Sequence, residues 1–137
     1  GIVKNAKVKE NKNNNRSQKG KCYTCYPRRK VIEHIIQNEN GVTFHHDMCS
    51  RNMIIVTPNN HYSTFSDVPN DEIGIIFKEI DNFCRGWNII DYNVNYNQGE
   101  WQTHKHFHLK IKTYDNTIKR MKGDHFRMVA LEKKYIY

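Results

Sequence analysis

Three histidines recur at every second position in His104-Lys105-His106-Phe107-His108-Leu109-Lys110-Ile111. In an extended strand, residues i, i+2 and i+4 share one face. The spacing therefore predicts a row of imidazoles on one side, with Phe107, Leu109 and Ile111 turned to a core on the other. Packing alone does not account for such a row, because each ring needs a partner for a polar nitrogen. An imidazole with a pKa near ~6.5 can ligate a metal, bind phosphate or act as a nucleophile at neutral pH. A second chemically capable group lies upstream in Cys22-Tyr23-Thr24-Cys25. In an intracellular protein that spacing reads as metal or redox chemistry, and no βαβ pattern surrounds it to favour a thioredoxin-like site. Cys49 and Cys84 are single cysteines, and His45-His46 reads as a strand-end pair.

These side chains need a scaffold. Val31–Ile36 is β-branched and apolar, and Asn40-Gly41 after it is the favoured two-residue hairpin turn, so Val42–His45 is the returning strand. Asn52–Val56 is a continuous apolar run stopped by Pro58, which predicts a buried strand. A helix is expected from Pro69-Asn70-Asp71-Glu72, with Asn70 as its cap, to Gly86. Ile73, Ile76, Phe77, Ile80 and Phe83 or Cys84 form its apolar stripe. Asn88–Tyr96 and Trp101–Thr113 read as two more strands around Asn97-Gln98-Gly99, and Phe126–Leu131 as a last one. The sum is an α+β domain, a mostly antiparallel sheet with one main helix packed on it.

The chain has 137 residues, enough for one domain, and is 37% hydrophobic, enough for a modest core. No stretch approaches the ~18–20 consecutive apolar residues of a membrane span. Gly1-Ile2-Val3-Lys4-Asn5 lacks the apolar run of a signal peptide, and Asn5 stands where a myristoylation signal wants Ser or Thr. The expectation is an intracellular protein of cytoplasm or nucleus with no membrane partner. Its charge is uneven: residues 1–21 carry six of the eight formal positive charges, no aromatic residue and few apolar ones. This predicts a basic flexible tail, 1–21, ahead of a folded domain, 22–137. Such an arm suits nucleic acid, because counterion release drives its binding to phosphate backbones, although a solvated tail has the same composition. Asn occurs 17 times alongside many Ile, Lys and Tyr. That bias fits an AT-rich microbial or viral genome.

The stretch around the three histidines resembles the histidine triad family of nucleotide hydrolases and transferases. The family signature is His-x-His-x-His plus two positions, with the intervening and final positions usually hydrophobic. This chain has all three histidines, Phe107 and Leu109, and departs at Lys105 and Lys110. The resemblance extends over roughly residues 22–113. Cys22-Tyr23-Thr24-Cys25 is similar to the Cys-x-x-Cys of zinc-bearing members, and Ile54-Ile55-Val56-Thr57-Pro58-Asn59-Asn60-His61 to their strand-Pro-x-x-His segment. Phe65-Ser66-Asp67-Val68 with Asp71-Glu72 resembles the lead into their long helix.

The resemblance implies a nucleotide or nucleotide conjugate as substrate and a nucleotidyl-histidine intermediate. His106, the middle histidine, is then the nucleophile and His108 a donor to the phosphate oxygens. Asp47, Asn93 or Asn95, and Gln102 or Thr103 are the implied nucleotide-binding positions. Cys22, Cys25, His61 and His104 would make a tetrahedral structural zinc site. Two-fold dimers are frequent in the family, which makes a homodimer one expected assembly. The substrate is either a small nucleotide conjugate or a nucleotide linked to nucleic acid. The competing expectation is a catalytically inactive, zinc-stabilised protein of the same fold that binds nucleic acid through its basic tail.

Overall fold

The computed structural model describes residues 21–49 and 51–136. In chain order these form α1 (Arg29–Glu33), β1 (Ile35–Glu39), β2 (Val42–His46), β3 (Met53–Pro58), α2 (Asn70–Gly86), β4 (Tyr92–Asn95), β5 (Leu109–Thr113) and α3 (Thr117–Ile136). Short 3₁₀ turns lie at Phe65–Asp67 and Gly99–Trp101. The expected basic tail falls, apart from Lys21, outside the described residues.

Among the described residues the strands make one five-stranded sheet, ordered β1-β2-β3-β5-β4 and antiparallel throughout. The fold is α+β, as the pattern predicts. Asn40 and Gly41 both take positive φ, 54° and 75°, which is the backbone that a two-residue hairpin needs. One sheet face presents Val42, Phe44, Ile54, Val56, Leu109 and Ile111 to Ile76, Ile80 and Phe83 of α2 and Ile118 of α3. Phe44 and Phe83 stack with ring centroids 4.3 Å apart at the centre of this layer. Alternation then places Thr43, His45, Thr57, Lys110, Lys112, Asn93 and Asn95 on the opposite face.

Several elements differ from the sequence expectation. The expected strand Val31–Ile36 is split: Arg29–Glu33 is helical, held by an Arg29–Glu33 pair at i,i+4, and β1 begins at Ile35. Phe126–Leu131 is helix rather than strand, so the sheet carries two long helices instead of one. Its apolar stripe starts upstream at Ile118 and Met121, outside the window that looked extended, and Asp115 caps it through Thr117 N at 3.0 Å. Pro69, not Asn70, occupies the N-cap position of α2, with Ile73 N bonded to Pro69 O. Phe77 is 45% exposed, whereas Glu79 is buried and accepts hydrogen bonds from Asn40 and Asn82. The helix ends at Gly86, but the left-handed residue that follows is Asn88. The two later strands are short, Tyr92–Asn95 and Leu109–Thr113, because residues 99–108 run as turns and bends.

Helix α3 docks through histidines. His125 Nε2 donates to Glu33 O at 2.7 Å, and its ring lies 5.3 Å from that of His46. His34 Nδ1 donates to Lys30 O, and the His34 ring packs edge-on against Phe126. Lys122 Nζ donates to Asp47 O at 2.7 Å. His46 is 1% exposed, and its Nδ1 has no hydrogen-bond partner among the described residues. Burial pushes the His46 pKa down to about 3, with His125, Lys122, His34 and His45 adding repulsion. The unfolded chain, with this group near 6.5, therefore binds more protons in the acid range. Stability should be level above about pH 6.5 and should fall as pH drops from there toward 3. Thermal unfolding across that range checks this, with His46→Phe expected to flatten the slope; a variant profile that parallels the wild type would contradict it.

Candidate functional site

Strand β5 begins only at Leu109, so His104 and His106 precede it in a bent segment. The loop after β3 holds that segment: Phe107 N donates to Tyr62 O at 2.6 Å, and His106 Nε2 to Pro58 O at 2.8 Å. Pro58 O can only accept, so His106 Nε2 carries the proton and Nδ1 keeps its lone pair. That Nδ1 lies 3.4 Å from Cys22 Sγ, 3.6 Å from Cys25 Sγ and 3.1 Å from His61 Nδ1. Cys25 Sγ is 3.3 Å from His61 Nδ1. The four ligand atoms all lie within 4.8 Å of one another. Tetrahedral zinc at its usual bond lengths sets sulfur and nitrogen ligands about 3.3–3.6 Å apart. The donor set fits such a metal, and a ligating histidine whose other N–H meets a backbone carbonyl is the usual outer-shell arrangement.

This corrects one sequence expectation, since His106 rather than His104 completes the cluster. The segment 104–106 is bent rather than extended, so its histidines do not line up as a strand row. His104 instead stacks on Tyr23 at 3.8 Å and bonds Thr24 Oγ1 at 3.0 Å, with its Nε2 3.8 Å from Cys22 Sγ. Burial, with the His108, His106, His61 and His45 rings nearby, holds its pKa down to about 4. It buttresses the cluster from one side. Cys22, Cys25 and His61 are where the sequence placed them.

His108 has the opposite environment to His106. It is half-buried, and its Nδ1 lies 2.9 Å from His106 O. A carbonyl oxygen fixes the proton on Nδ1, which leaves the Nε2 lone pair available. Burial lowers its pKa, and the charge of Lys110 acts in the same direction. The ring is therefore a neutral base held in one tautomer.

The implied nucleotide-binding residues are dispersed. Asp47 is nearly buried and engaged by its own turn: Oδ2 accepts from Cys49 N, Arg51 N and Arg51 Nε, and Oδ1 from Arg51 Nη2 at 2.7 Å. Burial alone would raise its pKa, but the Arg51 hydrogen bonds outweigh that and hold it below the usual carboxylate range. Asn93 and Asn95 bond each other at 2.6 Å and pair across the sheet with Lys112 and Lys110. Gln102 donates to Ser63 O at 2.6 Å, which ties the 99–108 segment to the loop before α2, while Thr103 is exposed. Arg51 and Lys112 escaped the sequence reading. Lys112 was legible, because it continues the i+2 period of the histidine row.

No protein-family model matches the chain, and no curated protein matches it in sequence. Solved structures do. A HIT family hydrolase from Legionella pneumophila aligns at a TM-score of 0.54 and 15% identity, over 60% of this chain and 81% of its own. A histidine triad protein from Clostridium difficile aligns at 0.51 and 23% identity, over 59% and 78%. The diadenosine triphosphate hydrolase of Plasmodium falciparum aligns at 0.55 and 18% identity, over 76% of each chain. At these identities the likeness is one of architecture, and the architecture of this chain is the histidine triad fold.

Proposed function

We propose that this protein is a nucleotidyl hydrolase or transferase that acts on a nucleoside-monophosphate conjugate, with His108 as the nucleophile. The observation that carries this reading is the His108 tautomer: Nδ1–H is held by His106 O, so Nε2 is a bare lone pair on a half-buried ring. His106, which the family pattern nominates, has its Nε2 on Pro58 O and its Nδ1 among the thiols, and is fully buried. Counting the motif from the apolar positions gives the same register. Phe107 and Leu109 then separate His106, His108 and Lys110, Ile111 follows, and every intervening residue is hydrophobic.

In the reaction, Nε2 of His108 attacks the α-phosphorus and forms an N–P bond. The bond from phosphorus to the leaving group breaks, and the leaving group takes the electron pair and a proton from solvent. The ring becomes cationic, and its Nδ1–H bond to His106 O favours that state. Water, or another acceptor, then attacks phosphorus as the N–P bond breaks; the bonding pair returns to Nε2, the acceptor's proton passes to solvent, and His108 returns neutral. Cys22, Cys25, His61 and His106 would hold zinc in a closed four-ligand site, whose contribution is structural. It would tie residues 22–25 to the loop at 61 and to the segment that carries His108.

Metal analysis of protein purified without chelator should find about one zinc per chain. Cys25→Ser and His106→Ala should lose it and His104→Ala should keep it; the reverse pattern for the two histidines would overturn the assignment. For activity, amino-acid phosphoramidates of AMP, dinucleoside polyphosphates and adenylated DNA form the substrate panel. His108→Asn should reduce turnover by at least about a thousandfold, in line with removal of a covalent nucleophile. If no substrate turns over, or the variant matches the wild type, the enzymatic reading fails and a non-catalytic zinc-stabilised protein of this fold is the better description.

A further inference from the structure

The two cysteines of Cys22-Tyr23-Thr24-Cys25 have a chemical capacity besides ligation. Tyr26 N donates to Cys22 O at 2.9 Å, so the motif is wound into a single turn. A turn holds the Cα atoms of its first and fourth residues less than about 7 Å apart. A disulfide spans roughly 4.4–6.8 Å between Cα atoms, so the backbone is already near the shape it needs. The two sulfurs themselves lie within 4.8 Å of each other. Both residues are half-buried, and their neighbour His61 is exposed, so the cluster has an edge open to solvent. The other cysteines differ. Cys84 is 2% exposed on the apolar stripe of α2, and burial pushes its thiol up to about 11. Cys49 is exposed but lies outside the cluster.

Every residue of this turn grips the segment ahead of β5. The Cys22 and Cys25 sulfurs face His106 Nδ1 at 3.4 and 3.6 Å. Between them, Tyr23 stacks on His104 at 3.8 Å and Thr24 Oγ1 bonds His104 Nε2 at 3.0 Å. The next hydrogen bond along the segment is Phe107 N to Tyr62 O, at 2.6 Å. A change of shape or bonding in the turn is therefore transmitted directly to residues 104–107.

We propose that Cys22 and Cys25 are a reversible oxidation site, at which a hydroperoxide converts the zinc-holding pair of sulfurs into a disulfide and loosens residues 104–107. This rests on the zinc reading in the preceding section. One sulfur attacks a peroxide oxygen, the O–O bond breaks, and water or an alcohol leaves, which makes that sulfur a sulfenic acid. The second sulfur attacks it, the S–S bond forms, and the sulfenic oxygen departs as water. Two electrons pass from the sulfurs to the peroxide oxygens, and the protons come from the thiols or from solvent. A dithiol reductant reverses the step by thiol–disulfide exchange. With both sulfurs bonded to each other, His61 and His106 are two ligands where a closed zinc site takes four.

The test treats the full chain, purified without chelator, with about one to five equivalents of hydrogen peroxide. Thiols are counted in denaturant, released zinc is read with a chromogenic chelator, and disulfides are mapped by peptide mass spectrometry. The thiol count should fall from four to two. About one zinc per chain should be released, and the new bond should map to Cys22 and Cys25. Exchange of the Phe107 amide with solvent deuterium should quicken at least about tenfold. Dithiothreitol with added zinc should reverse each change. Cys49→Ala should lose the same pair of thiols. Zinc retained under peroxide, thiol loss confined to Cys49, or oxidation of the pair that dithiothreitol does not reverse would overturn the proposal. A Cys22–Cys25 disulfide with Phe107 exchange unchanged would overturn the link to residues 104–107. Protein that carries no metal before treatment overturns the zinc reading instead, and the thiol map still decides whether the disulfide forms.

Discussion

His106 is bound at both ring nitrogens, and much of the site follows from that constraint. Nε2 is fixed to Pro58 O at the end of β3, and Nδ1 faces two thiols and a second imidazole. With both ends held, the ring cannot rotate, and neither can the peptide that carries it. The His106 carbonyl is therefore a fixed acceptor, and it orients the next histidine of the row by taking the Nδ1 proton. The thiol cluster, the approach to β5 and the His108 tautomer are linked through one residue. A change that loosens the Cys22, Cys25, His61 and His106 cluster should reach His108 without touching it.

The sheet divides the work between its faces. The Phe44, Ile54, Leu109 and Ile111 face is sealed by α2 and α3, and this burial holds β5 in register. The same alternation delivers polar residues to the other face, where a cost in desolvation is acceptable because a ligand can repay it. Among the described residues, Lys110 feels Arg51 and Lys112 as repulsive neighbours and Asp47 as an attractive one. Asp47 is closed off by Arg51, and Lys110 and Lys112 stand beyond it.

Much of this was legible in the sequence, and the failures have physical causes. Asn40-Gly41, the apolar run ending at Pro58 and the stripe Ile76, Ile80 and Phe83 each encode their element locally, and each was found. Helix α3 was missed because its buried face includes His125 and Lys122, which a hydrophobic pattern discounts, and because β-propensity at Val129 yielded to context. Helix α1 was missed for a related reason: Val31 and Ile32 favour strands in isolation, but Arg29 and Glu33 bracket one helical turn. At the site, the thiols and His61 were correctly grouped, while the histidine partner was off by one alternate position. The expectation took His104 as the fourth member of a Cys2His2 set. Lys105 breaks the hydrophobic alternation that Phe107, Leu109 and Ile111 keep.

The most direct measurement is chemical. Wild-type protein is mixed with a turning-over nucleotide conjugate, quenched under conditions that preserve phosphoramidates, digested, and the nucleotidyl-imidazole located by fragmentation mass spectrometry. The adduct is predicted on His108. An adduct on His106 would contradict the division of roles, because its Nδ1 lone pair faces the cysteines and its Nε2 proton is donated to Pro58 O.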